Sequence, residues 1–569
     1  MDTTTPAPVT TAPPDPAVVF HEHVRRGGAV RLRVRLPVRD DAPAQALRAV
    51  VLSRQTRMRH EVPGTLAAPT RARRGGGRVQ EGEVTLDLAA LVGRLAPADE
   101  MLDVLVATDD ARGTTTLRRV RRPLGARARP WGVVTRGDEV VQLVPYTTFR
   151  AGHRSLLVER MTPEALAALH RWRRVAWLLP PVRAVRGTWL VGEQPHRAQD
   201  NGYHLFRWLR EHRPDLPAYY VIDATSPDLP RLEGLGHVVL RHSPEHVRVA
   251  FLATRLVGTH HAEYLLPSRD PRVVRAVRGV RVFIRHGVSG TKNMVGNYGR
   301  FAPGFRTDRL HVSSDRERDT AVREFRYRPA QVRVTGLPRF DALLRPPERP
   351  PSGVLVVPTW REWISNHEAF IASEYRQAWQ AVLGHPALAD AVAGGLRVTF
   401  ILHPNMRGFA EAFAAPGVRV LTQGEAELQT LLREHEMLVT DYSSVGFDVA
   451  LLGRPVAYFQ FDQERFFGAQ GSHLDLNADL PGPIVRDVDA LVEHVLDTAR
   501  RGYPVAPGYA DRAHRLVRYH DRRNCERVAH SVATAGGPAV QWWRLVDRGA
   551  AGLRATARRV RARVRAATT

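Results

Sequence analysis

The chain has 569 residues, 43% of them hydrophobic, a single cysteine and a formal net charge of +25. That length accommodates about three or four domains with sizeable cores, and one cysteine excludes an internal disulfide framework and a cysteine-based metal cluster. The charge favours a polyanionic partner, whether nucleic acid, anionic lipid or a phosphate-rich substrate, without choosing among them.

Residues 1–17, rich in threonine and proline, lack the basic-then-apolar order of a secretory signal and read as a disordered lead-in. Over 18–150, short alternating stretches such as Ala29 to Leu36 and Gly82 to Leu88 predict a β-rich accessory domain. Two roles stay open for it, a spacer and a binder of polymer acceptor. A basic, aromatic helical segment follows over 151–187, with Trp172 and Trp177 among Arg171, Arg173, Arg174 and Arg183, a composition suited to a lipid headgroup boundary. Its apolar stretch stops at Pro180-Pro181, and no run approaches the ~20 residues of a membrane span.

Two βα-patterned halves come next. In 188–345 the strand candidates are Trp189 to Gly192, Ala218 to Ile222, His237 to Leu240, Arg255 to Gly258 and Arg281 to Ile284. A proline-rich joint from Arg345 to Pro351 leads into 352–535, with candidates Val354 to Val357, Arg397 to Leu402, Met437 to Thr440 and Pro455 to Phe459. The expected fold is α/β, a pair of Rossmann-type domains facing a cleft, preceded by a small β domain. The tail over 541–569 joins Trp542-Trp543 to eight arginines, as either a solvated basic tail or an amphipathic segment for an anionic membrane surface.

The chemistry-bearing motifs fall at predicted C-terminal strand ends, where open α/β sheets bind ligands. His286-Gly287 follows Arg281 to Ile284, Pro358-Thr359 follows Val354 to Val357, His403 to Arg407 follows Arg397 to Leu402, and Asp441 to Ser444 follows Met437 to Thr440. Ser443 and Ser444 precede a helix expected to end at Gly453, so they either meet a phosphate or cap the helix. Asp448, one turn on, either reaches a ribose hydroxyl or caps. His286 and His403, expected to face one cleft from opposite halves, pair a candidate base with a diphosphate contact. Lys292, which is the one lysine of the chain, Arg339 and Arg407 are candidate phosphate-side charges. His260-His261 with Glu263 lacks a third spaced metal ligand, and no phosphate loop or dinucleotide fingerprint is present.

At these residues the chain resembles the CDP-glycerol glycerophosphotransferase family, the teichoic-acid-type polymerases and primases. The resemblance rests on Asp441 to Asp448 with Arg454-Pro455, and on Gly336 to Asp341, Pro358 to Arg361, Leu402 to Pro404 and Pro481 to Arg486 in family order, across about Val191 to Ala529. It implies a GT-B fold and peripheral attachment to the cytoplasmic membrane face. It implies donor contacts from His286, Gly287, Val288, Ser289, Gly290, Arg339, Pro358, Thr359, Asn405, Met406, Arg407, Ser443, Ser444 and Asp448, with His286 and His403 catalytic. The implied reaction is attack by a hydroxyl of a lipid-linked acceptor on the β-phosphorus of CDP-glycerol or a related CDP-alditol, with loss of CMP and no cofactor or metal demanded. Well-known members read His-Gly-Thr-Pro-Leu-Lys where this chain reads His286-Gly287-Val288-Ser289-Gly290-Thr291-Lys292. The lysine is displaced by one position, which leaves the transferred alditol open. A GT-B glycosyltransferase using a nucleotide sugar is the main rival. Nucleic-acid binding, the rival outside enzymes, lacks a recognisable module, and the basic residues are dispersed.

Overall fold

The computed structural model describes residues 18–24, 28–38, 43–71, 78–97, 99–121, 129–147, 153–302, 304–364, 366–422, 424–468 and 471–536. The expected lead-in over 1–17 and the basic tail over 541–569 lie outside the described residues. From Val18–Val24 to Arg154–Met161 the strands form one largely antiparallel sheet. In Ala29–Val38, Val30, Leu32, Val34 and Leu36 are buried while Arg33 and Arg35 face outward, the period-two geometry of a strand. The register sets Arg33 opposite Glu83 and Arg35 opposite Glu81, and both pairs close, at 2.9 and 2.6 Å. Such exposed pairs contribute little; the inner face with Leu86, Leu102 and Trp131 supplies the core.

The sheet runs further than its sequence implies. Arg154–Met161, assigned above to a helical segment, is a strand paired along its length with Glu139–Thr147. Its arginines mislead because they are enclosed rather than solvated: Arg154 is 2% exposed, and Arg160, bonded to Glu139 and to the Ala96 carbonyl, is 8% exposed. Its Glu159 accepts from Ser268 Oγ at 2.6 Å and Arg269 N at 2.7 Å, fastening the sheet to the first half. Burial pushes that carboxyl up to about 7. The helix starts only at Pro163, capped by Thr162, and runs to Val175, with a second helix at Pro180–Arg186. Trp172 turns inward onto Phe251, 6.4 Å between ring centres, whereas Trp177, 70% exposed, shares the surface with Leu178, Val182 and Val185. The expected lipid-facing tryptophans thus divide into one core residue and one surface residue.

Each half holds a parallel sheet. The first orders its strands Val238–Leu240, Ala218–Ile222, Trp189–Gly192, Arg255–Gly258, Val280–Phe283, Arg309–Val312 and Val332–Val334. The second orders them Val418–Thr422, Val398–Leu402, Val354–Val357, Met437–Thr440, Val456–Phe459 and Ile484–Val485. In both, strand order reverses beside the half's first strand, opening a crevice at the carboxyl ends. These switch points lie between Trp189–Gly192 and Arg255–Gly258, and between Val354–Val357 and Met437–Thr440. The last helix among the described residues, Asn524–Ala533, packs back on the first half through Val528, Ala529 and Val532. Arg255 and Arg309 donate to its terminal carbonyls of Val532, Ala533 and Ser531 at 2.9, 3.0 and 3.1 Å, favourable placements for cations at a helix C-terminus. By packing, then, the second half closes before this helix, short of the boundary at 535 expected above.

Candidate active site

His286 leaves the strand Val280–Phe283 through Arg285, whose φ of 60° turns the chain sharply. Asn201 Nδ2 donates to the Arg285 carbonyl at 2.8 Å and Arg339 Nη1 to the His286 carbonyl at 2.7 Å, so backbone bonds fix where the imidazole stands. The ring stacks on His260, 4.9 Å away and 5° from parallel. Its surface is open to solvent, although protein surrounds the position on most sides. The burial acting on it is that of a cleft residue, with an accessible face for a substrate to meet. Burial, then His260, Arg285 and Arg339, hold its basicity well below the ordinary histidine value, so the ring is neutral at pH 7.

Arg339 and Asp448 face each other rather than an open donor site. Arg339 is 5% exposed and Asp448 1%, joined by two bonds of 3.0 and 2.9 Å, while Arg339 Nη1 also reaches Asp200 at 3.0 Å. Burial opposes the Arg339 charge, but Asp448 and Asp200 outweigh it and hold the guanidinium more firmly protonated than usual. Asp200 belongs to the first half and Asp448 to the second, so this buried cluster clasps the two halves beneath His286.

The segment after His286 bridges the halves. A Cβ on Gly287 would stand 2.9 Å from Ser444 Oγ, and one on Gly290 would stand 2.5 Å from Leu474 Cδ1, so a larger residue at either position would have to displace the facing side chain. Val288, 4% exposed, joins the core of the second half, and the Ser289 amide is taken by Glu317 at 2.8 Å. Thr291 donates to the Tyr442 carbonyl at 2.8 Å. Lys292 pairs with Glu362 across the cleft at 2.6 Å, so it is a latch between halves in this structure. Of the expected donor contacts Val288 and Ser289, the Val288 side chain is committed to packing and the Ser289 amide to a carboxylate, while the buried Ser289 hydroxyl has no partner among the described residues.

On the second half, the Thr359 amide donates to Asp441 at 2.9 Å, and the Thr359 hydroxyl is buried without a partner. Arg361, wholly enclosed, bonds Asp441 at 2.9 Å and Asp462 at 2.7 and 3.0 Å, and Tyr442 Oη donates to Asp462 at 2.9 Å. This network braces Pro358-Thr359 against the end of Met437–Thr440. Ser443 Oγ accepts from the Val445 amide at 3.3 Å, whereas Ser444 makes no capping bond and faces Gly287. His403 stacks on Trp360, 5.8 Å between centres, and its Nδ1 accepts from the Asn405 amide at 3.2 Å. Burial, then Arg197, lower its pKa to about 4. Asn405 and Arg407 are exposed, but Met406, 1% exposed, points into the core, so its side chain lies away from the cleft.

Sequence reasoning gave no individual role to Arg361, Glu362, Asp200 or Arg197, although the stretch from Gly192 to His204, which holds the last two, reads with His260 to Tyr264 as facing the acceptor side or packing in the core. Arg361 stood within a quoted motif, but nothing in a linear motif names its partners Asp441 and Asp462. Arg197 had a usable signal, its place in the first βα loop of the first sheet, beside the switch point.

Residues 23–158 match the TarS beta-glycosyltransferase C-terminal domain 1. The chain is 22% identical over 362 residues to the minor teichoic acid biosynthesis protein GgaB of Bacillus subtilis, covering 60% of this chain and 39% of that protein. It is 30% identical over 138 residues to the teichoic acid ribitol-phosphate primase of Bacillus spizizenii, covering 23% of this chain and 33% of the primase. The chain therefore spans less than half the length of these relatives. A structure of the wall teichoic acid polymerase TagF aligns at a TM-score of 0.46 and 15% identity, covering 65% of this chain and 97% of that one. Residues 182–534, more than half of the chain and both sheets with their facing strand ends, match the CDP-glycerol:poly(glycerophosphate) glycerophosphotransferase family, and the chain belongs to that family.

Proposed function

We propose that this protein transfers an alditol phosphate, glycerol phosphate or a relative such as ribitol phosphate, from a CDP-alditol to a hydroxyl of a lipid-linked polymer acceptor. The observation that carries the reading is the meeting of His286-Gly287 with Ser444 where the two sheets' strand ends converge, in a chain of this family. In this reading the second half holds the donor. Ser443, Ser444 and the unpartnered Thr359 hydroxyl bond its phosphates, with Asn405 and Arg407 toward the nucleotide. Gly287 and Gly290 let the two faces approach, and Arg339 with Asp448 positions His286 instead of touching the donor.

The acceptor oxygen attacks the β-phosphorus of the donor. A new O–P bond forms as the bond from the β-phosphorus to the bridging oxygen breaks, the electron pair leaves with CMP, and the hydroxyl proton passes to a ring nitrogen of His286. An imidazole neutral at pH 7 is ready to accept that proton, and the donor phosphates raise its basicity by favouring imidazolium. Neutral His403, held by Trp360, bonds the diphosphate from the other side.

The test is a donor panel with product masses. CMP release from CDP-glycerol or CDP-ribitol, with the acceptor heavier by one alditol phosphate, is expected. Turnover only of UDP- or GDP-sugars would overturn the reading in favour of a glycosyltransferase.

The same reading places the chain on an anionic membrane surface at its cytoplasmic face, beside a lipid-linked acceptor. Trp177, Leu178, Val182 and Val185 gather on one exposed stretch, with Arg174 and Arg186 beside them, a pairing of apolar and basic groups suited to a headgroup region. Among the described residues no helix is long and apolar enough to cross a membrane. Replacing Trp177 and Val185 by serine is expected to weaken cosedimentation with phosphatidylglycerol vesicles; unchanged binding removes this surface from the account.

A further inference from the structure

Two of the three cations expected to serve the substrate phosphates are neutralised within the protein: Lys292 by Glu362, and Arg339 by Asp448 and Asp200. The first sheet's switch point offers another. Resting on the phosphotransferase reading above, we propose that Arg197 binds a phosphodiester of the acceptor chain and so delivers the terminal hydroxyl toward His286.

Arg197 sits in the loop leaving Trp189–Gly192, and that loop is fixed from several directions. Glu193 accepts from the amides of Gln199, Asp200 and Tyr203 at 3.2, 2.9 and 2.9 Å. Asp228 accepts from the Ala198 amide and Gln199 Nε2 at 2.9 and 2.6 Å. The carbonyls beside the side chain are occupied too: Tyr220 Oη donates to Arg197 O at 2.8 Å and Ser226 Oγ to His196 O at 2.9 Å. Each polar group of the loop backbone named here has a partner, yet among the described residues the half-buried Arg197 guanidinium has neither a carboxylate nor a carbonyl. A rigid loop at the switch point that carries a half-buried guanidinium without such a partner is a preorganised anion site.

Its neighbours narrow the anion. The other loop at the same switch point carries His260, the ring stacked on His286. The Arg197 charge helps depress His260 and His403, each to about 4, after burial, so it lies within electrostatic reach of both halves. Neutral imidazoles do not balance a phosphodiester charge; a guanidinium does, through two parallel bonds. The donor groups Thr359, Ser443 and Ser444 belong to the opposite sheet, which leaves this crevice to the acceptor. In an alditol phosphate polymer the terminal hydroxyl lies one unit from a phosphodiester, so gripping that charge orients the nucleophile.

The test uses the full chain and its Arg197→Gln and Arg197→Lys variants. CMP release is followed against a synthetic lipid-linked glycerol phosphate oligomer at saturating CDP-glycerol, and CDP-glycerol affinity is measured by calorimetry. Arg197→Gln is expected to raise the acceptor KM about 10-fold or more, leave the CDP-glycerol Kd within about two-fold and keep the melting temperature; Arg197→Lys restores part of the loss. An unchanged acceptor KM, an equal loss of donor affinity or a lowered melting temperature each overturns the proposal. Binding of a fluorescent glycerol phosphate oligomer without donor separates this inference from the reading it rests on. Weaker binding by Arg197→Gln supports the subsite even if no CDP-alditol turns over, and equal binding, or none by either protein, overturns it.

Discussion

On the second half's face of the cleft, Arg361 is wholly enclosed and both edges of its guanidinium meet carboxylates, Asp441 and Asp462. On the first half's face, Arg197 leaves a loop fixed by its own hydrogen bonds, with no carboxylate paired to its guanidinium among the described residues. The same residue type thus serves two ends. A buried guanidinium between two acids fixes strand ends and cannot answer a ligand without leaving charges unpaired. An open one costs little to hold and is available to a substrate anion. The contrast extends along the cleft: Arg339, Asp448 and Lys292 are paired, whereas among the described residues the Thr359 hydroxyl has no partner, Ser444 makes no capping bond and His286 is exposed.

That division predicts different failures. Arg361→Met leaves Asp441 and Asp462 facing each other without a cation, and the expected loss is about 3–5 kcal/mol, seen as early unfolding of the second half in urea. A wild-type transition would mean that the enclosed network does not brace the fold.

A smaller effect follows from pH. His204, His246 and His311 are held by burial at about 3, 4 and 3. Because these folded values are depressed, the unfolded chain binds protons that the native chain refuses once the pH falls below about 6.5. The contribution of these three histidines is therefore full above that value and falls toward pH 4, while Glu159, raised to about 7, acts in the opposite direction. The acid limb of kcat/KM should likewise lie below the ordinary histidine value, since free His286 is depressed. A limb at or above pH 7 would sever the rate from that ring. The smallest change belongs to Lys292→Met: a half-exposed latch to Glu362 contributes at most about 1 kcal/mol, so kcat should alter by no more than a few-fold. A large drop would return this lysine to the phosphate side.

Much of the architecture is legible where apolar runs mark strands buried on both faces. Trp189–Gly192, Arg255–Gly258, Val354–Val357 and Met437–Thr440 stand where their sequences place them. Arg309–Val312 gives no such signal, because the inward positions carry Arg309 and His311, made compatible with burial by Ser531 of the returning helix. Arg154–Met161 is hidden for the same reason, its charges being satisfied by distant partners. In the site, His286, His403, Thr359 and Ser444 are visible as polar groups at strand ends. The pairing of Arg339 with Asp448 is not, since it joins positions 109 residues apart, and neither is the core packing of Val288 and Met406, which depends on what the fold brings against them.

The central claim is that an open His286 takes the acceptor proton while the paired groups beneath it only position it. The direct measurement is CMP release by His286→Ala, beside its affinity for CDP-glycerol and its melting temperature. The account predicts turnover lower by roughly 10²–10⁴-fold, with donor affinity and melting temperature close to those of the unaltered chain. Near-normal CMP release by that variant would contradict it.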